Sequence, residues 1–265
     1  MPYDTIDTQH IITLFHRLMR SDGQQRVLFL EGEGDMGKSH LLTKVFPELA
    51  VAQYNARHMI LDLRNQLQTI VAILQSACSM LGDDTCANFD KEYQAWRTRP
   101  KVSLERLTLI ASTIQVGVED TVNDIDQWMP RLTHQFVKDI EQLSKQQFVF
   151  FIDSVDGASD KTKEWLTDTL LVPLVRLPHV RVVVAGRSLP SPHGSYMALY
   201  HKQHMHPIKD LEAYASYCEK IDLRLEEQAI NQQAIQVLAL LSNYCPGSFV
   251  ANVYKIKQFF PSIII

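Results

Sequence analysis

The sequence predicts an α/β fold in which a three-layer parallel sheet is followed by a small all-helical segment, and three observations predict it. The runs "FVFFID" at 148–153 and "VRVVVAGRS" at 180–188 are apolar over most of their length, as strands buried on both faces of a parallel sheet require. Stretches of helical period alternate with these runs, which is the pattern of a sheet covered by helices. A cluster of glycines at Gly32, Gly34 and Gly37 separates a short apolar run from a helical face, giving strand, tight loop and helix in succession.

Taken in chain order, Ile12, Phe15 and Leu18 recur at helical spacing, and 26–30 is a short apolar run that reads as a buried strand. Leu41, Leu42 and Val45 form the face of the helix after the glycines, and "HMILDL" at 58–63 is a second strand. A helix is expected from about 67 to 81. Residues 82 to 130 read as a mostly helical insertion, with a helix near 103–114. Leu132, Phe136, Ile140 and Leu143 then mark an amphipathic helix. "FVFFID" follows, then a helix near 161–176, then the strand at 180–188. Beyond Pro207, Leu211, Tyr214, Ala215 and Cys218 share one helical face, and Ile230, Ala234, Val237, Leu238 and Leu241 share a second. "CPGS" at 245–248 breaks that helix before a third. The predicted division is a core of about residues 1–204 and a helical subdomain of about 205–265.

With 265 residues, 46% hydrophobic and 21% charged, the chain has the balance of a globular protein of one large domain, or one domain and a satellite. A net charge of -4 counts against a protein whose main work is neutralising nucleic-acid phosphates. No apolar run approaches the roughly 18 residues that span a bilayer. "MPYDTIDTQHII" has early acids and no continuous apolar segment, so a cytoplasmic protein without a signal peptide is expected. The cysteines Cys78, Cys86, Cys218 and Cys245 show no Cys-x-x-Cys spacing, and reduced thiols are expected. "WRTRPK" at 96–101 reads as a solvated loop. His201, His204 and His206 lack the neighbouring ligands of a metal site.

The chemistry lies in the loop. Gly32-x-x-x-x-Gly37-Lys38-Ser39 has the spacing of a phosphate-binding loop. Backbone N–H groups from Glu33 to Lys38, reinforced by the positive end of the next helix, suit a triphosphate. Lys38 would reach the β- and γ-phosphates, and the Ser39 hydroxyl would ligate Mg²⁺. Asp153 ends the "FVFFI" strand at the sheet edge where ligands bind, the place of a carboxylate that orients Mg²⁺ through its water shell. Arg187 follows the "VVVA" strand. If that strand lies beside the glycine-loop strand, Arg187 reaches the γ-phosphate and tells triphosphate from diphosphate.

These motifs resemble the STAND class of signal-transducing ATPases, a branch of the AAA+-like P-loop NTPases, over most of the chain. "EGEGDMGKSHLL" resembles the Walker A motif, "HMILDLR" the second strand, "FVFFIDSVD" the Walker B and "VVVAGRS" the sensor-1 strand. "HPIKDLEAYASYC" with "YCPGSFVANVY" resembles the helical lid. The resemblance implies a Rossmann-like P-loop core with a lid, holding ATP or ADP with Mg²⁺. Gly32, Glu33, Gly34, Asp35, Met36, Gly37, Lys38, Ser39 and His40 would line the nucleotide, with Pro246 facing it from the lid. Ser39 and Asp153 would hold the metal, and Lys38, Asp153, Asp156 and Arg187 would carry turnover. Where hydrolytic relatives place a glutamate after the Walker-B aspartate, this chain has Ser154, and Asp156 is the next acid. Slow hydrolysis by a switch is therefore implied, in signalling or bacterial-defence-type regulation, with self-association or a protein partner carrying the sensor or effector. The alternative is a DNA-associated AAA+ ATPase, initiator-like or transposition-regulator-like. A small-molecule kinase fits less well, since Asp62-Leu63-Arg64 has the wrong spacing and 205–265 holds a single arginine, Arg224. A module that binds nucleotide without turning it over is a third possibility. The apolar "FFPSIII" at the end either packs into the lid or marks a cut in something longer.

Overall fold

In a computed structural model, which describes residue 6 and residues 8–20, 24–64, 69–82, 85–98, 120–143, 146–192, 194–221, 224–225, 228–229 and 232–259, two fully buried strands form the centre of a sheet. These are β3 (Phe148–Asp153) and β4 (Val180–Gly186), the two apolar runs. β1 (Val27–Glu31) pairs with β4 on its other side, β2 (Arg57–Asp62) pairs with β3, and β5 (Tyr200–His204) pairs with β1. The order is β2-β3-β4-β1-β5, and all four pairings are parallel.

Helices cover both faces. α1 (Gln9–Met19) precedes β1, and α2 follows the glycines as Lys38–His40, a π turn at Leu41–Val45, and Phe46–Tyr54. α3 (Ile70–Leu81), α4 (Ala87–Thr98) and α5 (Asp120–Gln142) lie between β2 and β3. α6, built of Asp160–Glu164, a π stretch at Trp165–Leu170 and Leu171–Leu174, joins β3 to β4. Successive side chains of a strand point to opposite faces, and β3 shows the consequence. Phe148, Phe150 and Ile152 pack with Leu132, Phe136 and Ile140 of α5 and with Ile73 of α3. Val149 and Phe151 pack on the other face with Phe15 of α1 and Phe46 of α2, whose rings stack at 4.3 Å. The predicted three-layer α/β architecture is present.

The C-terminal helices α7 (Leu211–Lys220), α8 (Gln232–Leu241) and α9 (Pro246–Phe259) build an apolar cluster of their own. Tyr214, Tyr217, Ile235, Ala239, Phe249 and Val253 are buried in it together with Ile6. A small antiparallel hairpin, β6 (Arg224–Leu225) with β7 (Gln228–Ala229), lies between α7 and α8.

Several details differ from the sequence expectations. β5, "YHKQH", has no apolar run; it is half-buried, at the end of the sheet order, and Lys202 and His204 reach Glu31 at 2.8 and 3.4 Å. Cys78 and Cys86 form a disulfide rather than standing as reduced thiols. The end of α3 and the start of α4 fold back on each other, bringing their Cα atoms to 5.6 Å, within the range a disulfide spans. α5 starts well before Leu132 and runs through Pro130. Residues 96–98 belong to α4 rather than a loop, with the Arg97 guanidinium 5.7 Å from the Tyr93 ring centroid. The expected helix at 103–114 and the end of the chain from 260 on lie outside the described residues. Among the described residues, no single helix is long and apolar enough to cross a membrane.

Candidate functional site

Register decides where the site lies. Glu31 is opposite Gly186 and Asp62 opposite Asp153, so four strand ends stop level at one edge. The loops that leave this edge form a cleft of about 380 Å³.

The glycine loop forms its floor. Gly37 has φ 84°, the left-handed region where a Cβ is strained, and it turns the chain into α2. Gly32 packs against the segment after β5: a Cβ on it would sit 2.6 Å from the Met205 carbonyl oxygen. Lys38 opens α2 and is 8% exposed. Its Nζ donates to the Gly32 and Glu33 carbonyls, each at 2.6 Å. Burial lowers its pKa, opposed by the charges of Asp156 and Asp153, with a further lowering from Arg187. Ser39 and His40 line the cleft beside it.

The wall comes from the ends of β3 and β4. Asp153 is 3% exposed and accepts the Ser154 N–H at 2.8 Å. Ser154 has φ 60° and starts a 3₁₀ turn, Val155–Gly157, that carries Asp156 across towards β4. There Asp156 Oδ1 accepts the Arg187 backbone N–H at 2.9 Å, and Oδ2 lies 3.7 Å from Arg187 Nε. β4 does neighbour β1, the condition on which the Arg187 expectation depended. The cleft thus gathers Lys38, Ser39, Asp153, Asp156 and Arg187 with Gly34, Asp35, Met36 and Gly37.

Three of the sequence candidates stand elsewhere. Gly32 and Glu33 serve through their carbonyls on Lys38. Pro246 lines a neighbouring cavity of about 150 Å³ with Ile6, Thr8, Met36, His40 and Val250. This cavity shares Met36, Gly37, His40 and Gly247 with the cleft, so the two adjoin.

Sequence reasoning missed Arg64, and from the Gly/Pro turn it placed facing the nucleotide it named only Pro246; Arg64 and Gly247 also line the cleft. Arg64 follows β2, and both its backbone N–H and its guanidinium are held by Asp62. Its signal was available: it sits just past a strand at the same sheet edge as Asp153 and Arg187. Gly247 approaches from α9 and donates its N–H to the Asp35 carbonyl at 2.7 Å. Nothing in the local sequence announces that contact.

No family model and no curated protein sequence matches this chain. Solved structures do. The Walker-type ATPase paby2304 of Pyrococcus abyssi superposes with a TM-score of 0.53 at 12% identity, over 97% of this chain and 69% of that one. Cdc6p from Pyrobaculum aerophilum gives 0.53 at 14% identity, over 94% of this chain and 61% of that one, so this chain spans less than two thirds of Cdc6p. At such identities the likeness shows a shared fold: the chain has the α/β fold of a P-loop NTPase.

Proposed function

We propose that this chain is an ATP-binding, slowly hydrolysing switch of the STAND or AAA+-like type, in which nucleotide state sets the arrangement of core and lid. The observation that carries the reading is the buried Lys38 ammonium, held at the floor of a cleft whose wall presents Asp153, Asp156 and Arg187. An ammonium tied to two loop carbonyls is preorganised for a polyanion, which offers it stronger, charge-assisted acceptors.

The donor set fits Mg²⁺. A serine hydroxyl and a carboxylate are hard oxygen ligands of the kind this ion takes, the remaining positions being filled by water and phosphate. Ser39 and Asp153 would hold it, and the bound ion would neutralise charge on the β- and γ-phosphates. Lys38 would bind those same phosphates, and Arg187 would contact the γ-phosphate edge. The cavity at Ile6, Met36, Pro246 and Val250 would receive the base. Among the described residues no carboxylate lines it, and guanine, with its extra N–H donors, needs acceptors that adenine does not.

Ligands shift a two-state equilibrium only through a difference in affinity for the two states. Contacts to the γ-phosphate supply that difference between ATP and ADP. Ser154, in place of a water-polarising glutamate, implies slow turnover, which suits a switch acting through self-association or a protein partner. Titrations of the wild-type chain with ATP, ADP and GTP in the presence of Mg²⁺, with turnover measured alongside, test this. The reading expects ATP to bind more tightly than GTP or ADP, with turnover far below the roughly 10 s⁻¹ typical of enzymes. Fast turnover, or strong stimulation by DNA, would replace the switch by a motor or a DNA-associated ATPase.

A further inference from the structure

We infer that Asp156 is a positioning residue that holds Arg187 against the γ-phosphate edge of the cleft, and that it does not serve as the base for the attacking water. This rests on the switch reading above.

Both carboxylate oxygens of Asp156 are directed at Arg187. Oδ1 accepts the backbone N–H at 2.9 Å, and Oδ2 faces Nε at 3.7 Å. The first contact pins the chain at the first residue beyond β4, so it fixes the direction in which the side chain leaves the sheet. The second lies along the side chain itself. Arg187 is otherwise 68% exposed along its side chain, and an arginine without a brace must lose rotamer freedom when it meets its ligand. Bracing it in advance moves that cost out of the binding step.

The course of the backbone supports the same assignment. Asp153 ends β3 and stays beneath the cleft, while the left-handed Ser154 and the turn after it carry Asp156 sideways to the end of the next strand. A general base needs a carboxylate oxygen within about 2.6–3.2 Å of the proton it takes. The Asp156 oxygens are instead turned towards β4 and the arginine. The Asp156 charge also favours the charged form of Lys38, while the Lys38 ammonium itself is positioned by the Gly32 and Glu33 carbonyls.

The test is the ratio of ATP to ADP affinity, read by titration with Mg²⁺ in wild type, Asp156→Ala, Asp156→Asn, Arg187→Ala and the Asp156→Ala/Arg187→Ala double variant. Asp156→Ala is expected to lower the ratio roughly tenfold or more, to the level of Arg187→Ala, with ADP affinity kept. The double variant is expected to fall no further, because the two residues act as one unit. Asp156→Asn keeps an oxygen for the Arg187 N–H but loses the charge facing the guanidinium, so it should fall part of the way. An unchanged ratio in either variant, with turnover abolished, would make Asp156 a base and overturn the inference. Equal loss of ATP and ADP would make it merely structural, and additive losses would uncouple it from Arg187. If Asp156→Ala does not fold, Asp156→Asn decides by the same criteria. A wild-type chain that binds neither nucleotide, or both alike, fails the switch reading itself and takes this inference with it.

Discussion

Gly247 at the start of α9 donates its N–H to the carbonyl of Asp35 in the glycine loop at 2.7 Å, and the next residue, Ser248, gives its hydroxyl to the Asp35 carboxylate at 2.7 Å. A single loop residue therefore ties the glycine loop to the C-terminal helices. Asp35 stands at φ 60°, a conformation that turns its carbonyl and side chain towards α9 together. A carboxylate at a helix N-terminus is also favourably placed for the helix dipole.

This contact leaves no room for a methyl group. A Cβ on Gly247 would lie 2.7 Å from the Asp35 carbonyl oxygen, and a backbone atom cannot swing aside as a side chain does. Gly247→Ala should push α9 off the loop and weaken ATP and ADP together, by about tenfold if the strain is near the 1–3 kcal/mol usual for overpacking. Titration of both nucleotides checks this; unchanged affinity for both would mean that the contact between loop and helix has no part in binding.

Stability rests elsewhere, on a buried carboxylate. Asp139 of α5 is fully buried and accepts the Asn88 N–H at 3.1 Å, the Asn88 side-chain amide at 2.7 Å and the Phe89 N–H at 2.8 Å. It thus caps the start of α4 from another helix. Asp139→Ala should cost about 2–3 kcal/mol, since it leaves buried donors without acceptors. A urea unfolding curve reads the shift in midpoint, and a midpoint within error of wild type would contradict this role.

Acid should destabilise the chain through His16. Its ring is half-buried against Tyr54, with Nδ1 2.8 Å from the hydroxyl. Burial, and then the charge of Arg20, hold its pKa below the ordinary value. The unfolded chain therefore takes up a proton near pH 6.5 that the folded chain refuses. Stability from this group is full above about pH 6.5 and declines as pH falls towards the folded-state pKa. Midpoints measured at about pH 7.5 and 5.5 should differ less in His16→Gln than in wild type; an equal difference would assign the acid sensitivity to other groups.

The legible parts of this fold were those with one physical demand per residue. "FVFFID" and "VRVVVAG" are buried on both faces, so their positions are apolar except for Asp153 at the cleft and Arg181, whose buried guanidinium donates to the Leu18, Pro178 and Val180 carbonyls. Gly37 needed a positive φ, and Lys38 its place beside the loop. β5 was not legible, because a half-buried strand at the sheet edge is held by Lys202 and His204 on Glu31 rather than by an apolar run. The Cys78–Cys86 pairing depends on how α3 and α4 fold back, which their spacing alone does not fix. The course of Asp156 towards Arg187 depends on the left-handed turn at Ser154, a conformation no pattern of residue types foretells. The contacts of α9 with Asp35 join residues more than two hundred positions apart in sequence, such as Ser248 with Asp35.

The measurement that bears most directly on the central claim is Mg²⁺-dependent ATP binding by Lys38→Ala. The Lys38 ammonium is expected to hold the phosphates from the floor of the cleft, where burial leaves its charge weakly solvated. Loss of a charge-assisted contact of about 1.5–3 kcal/mol predicts at least a tenfold fall in ATP affinity, while the melting temperature stays near that of wild type. A Lys38→Ala chain that binds and turns over ATP as the wild type does would contradict the assignment of this cleft as a nucleotide site.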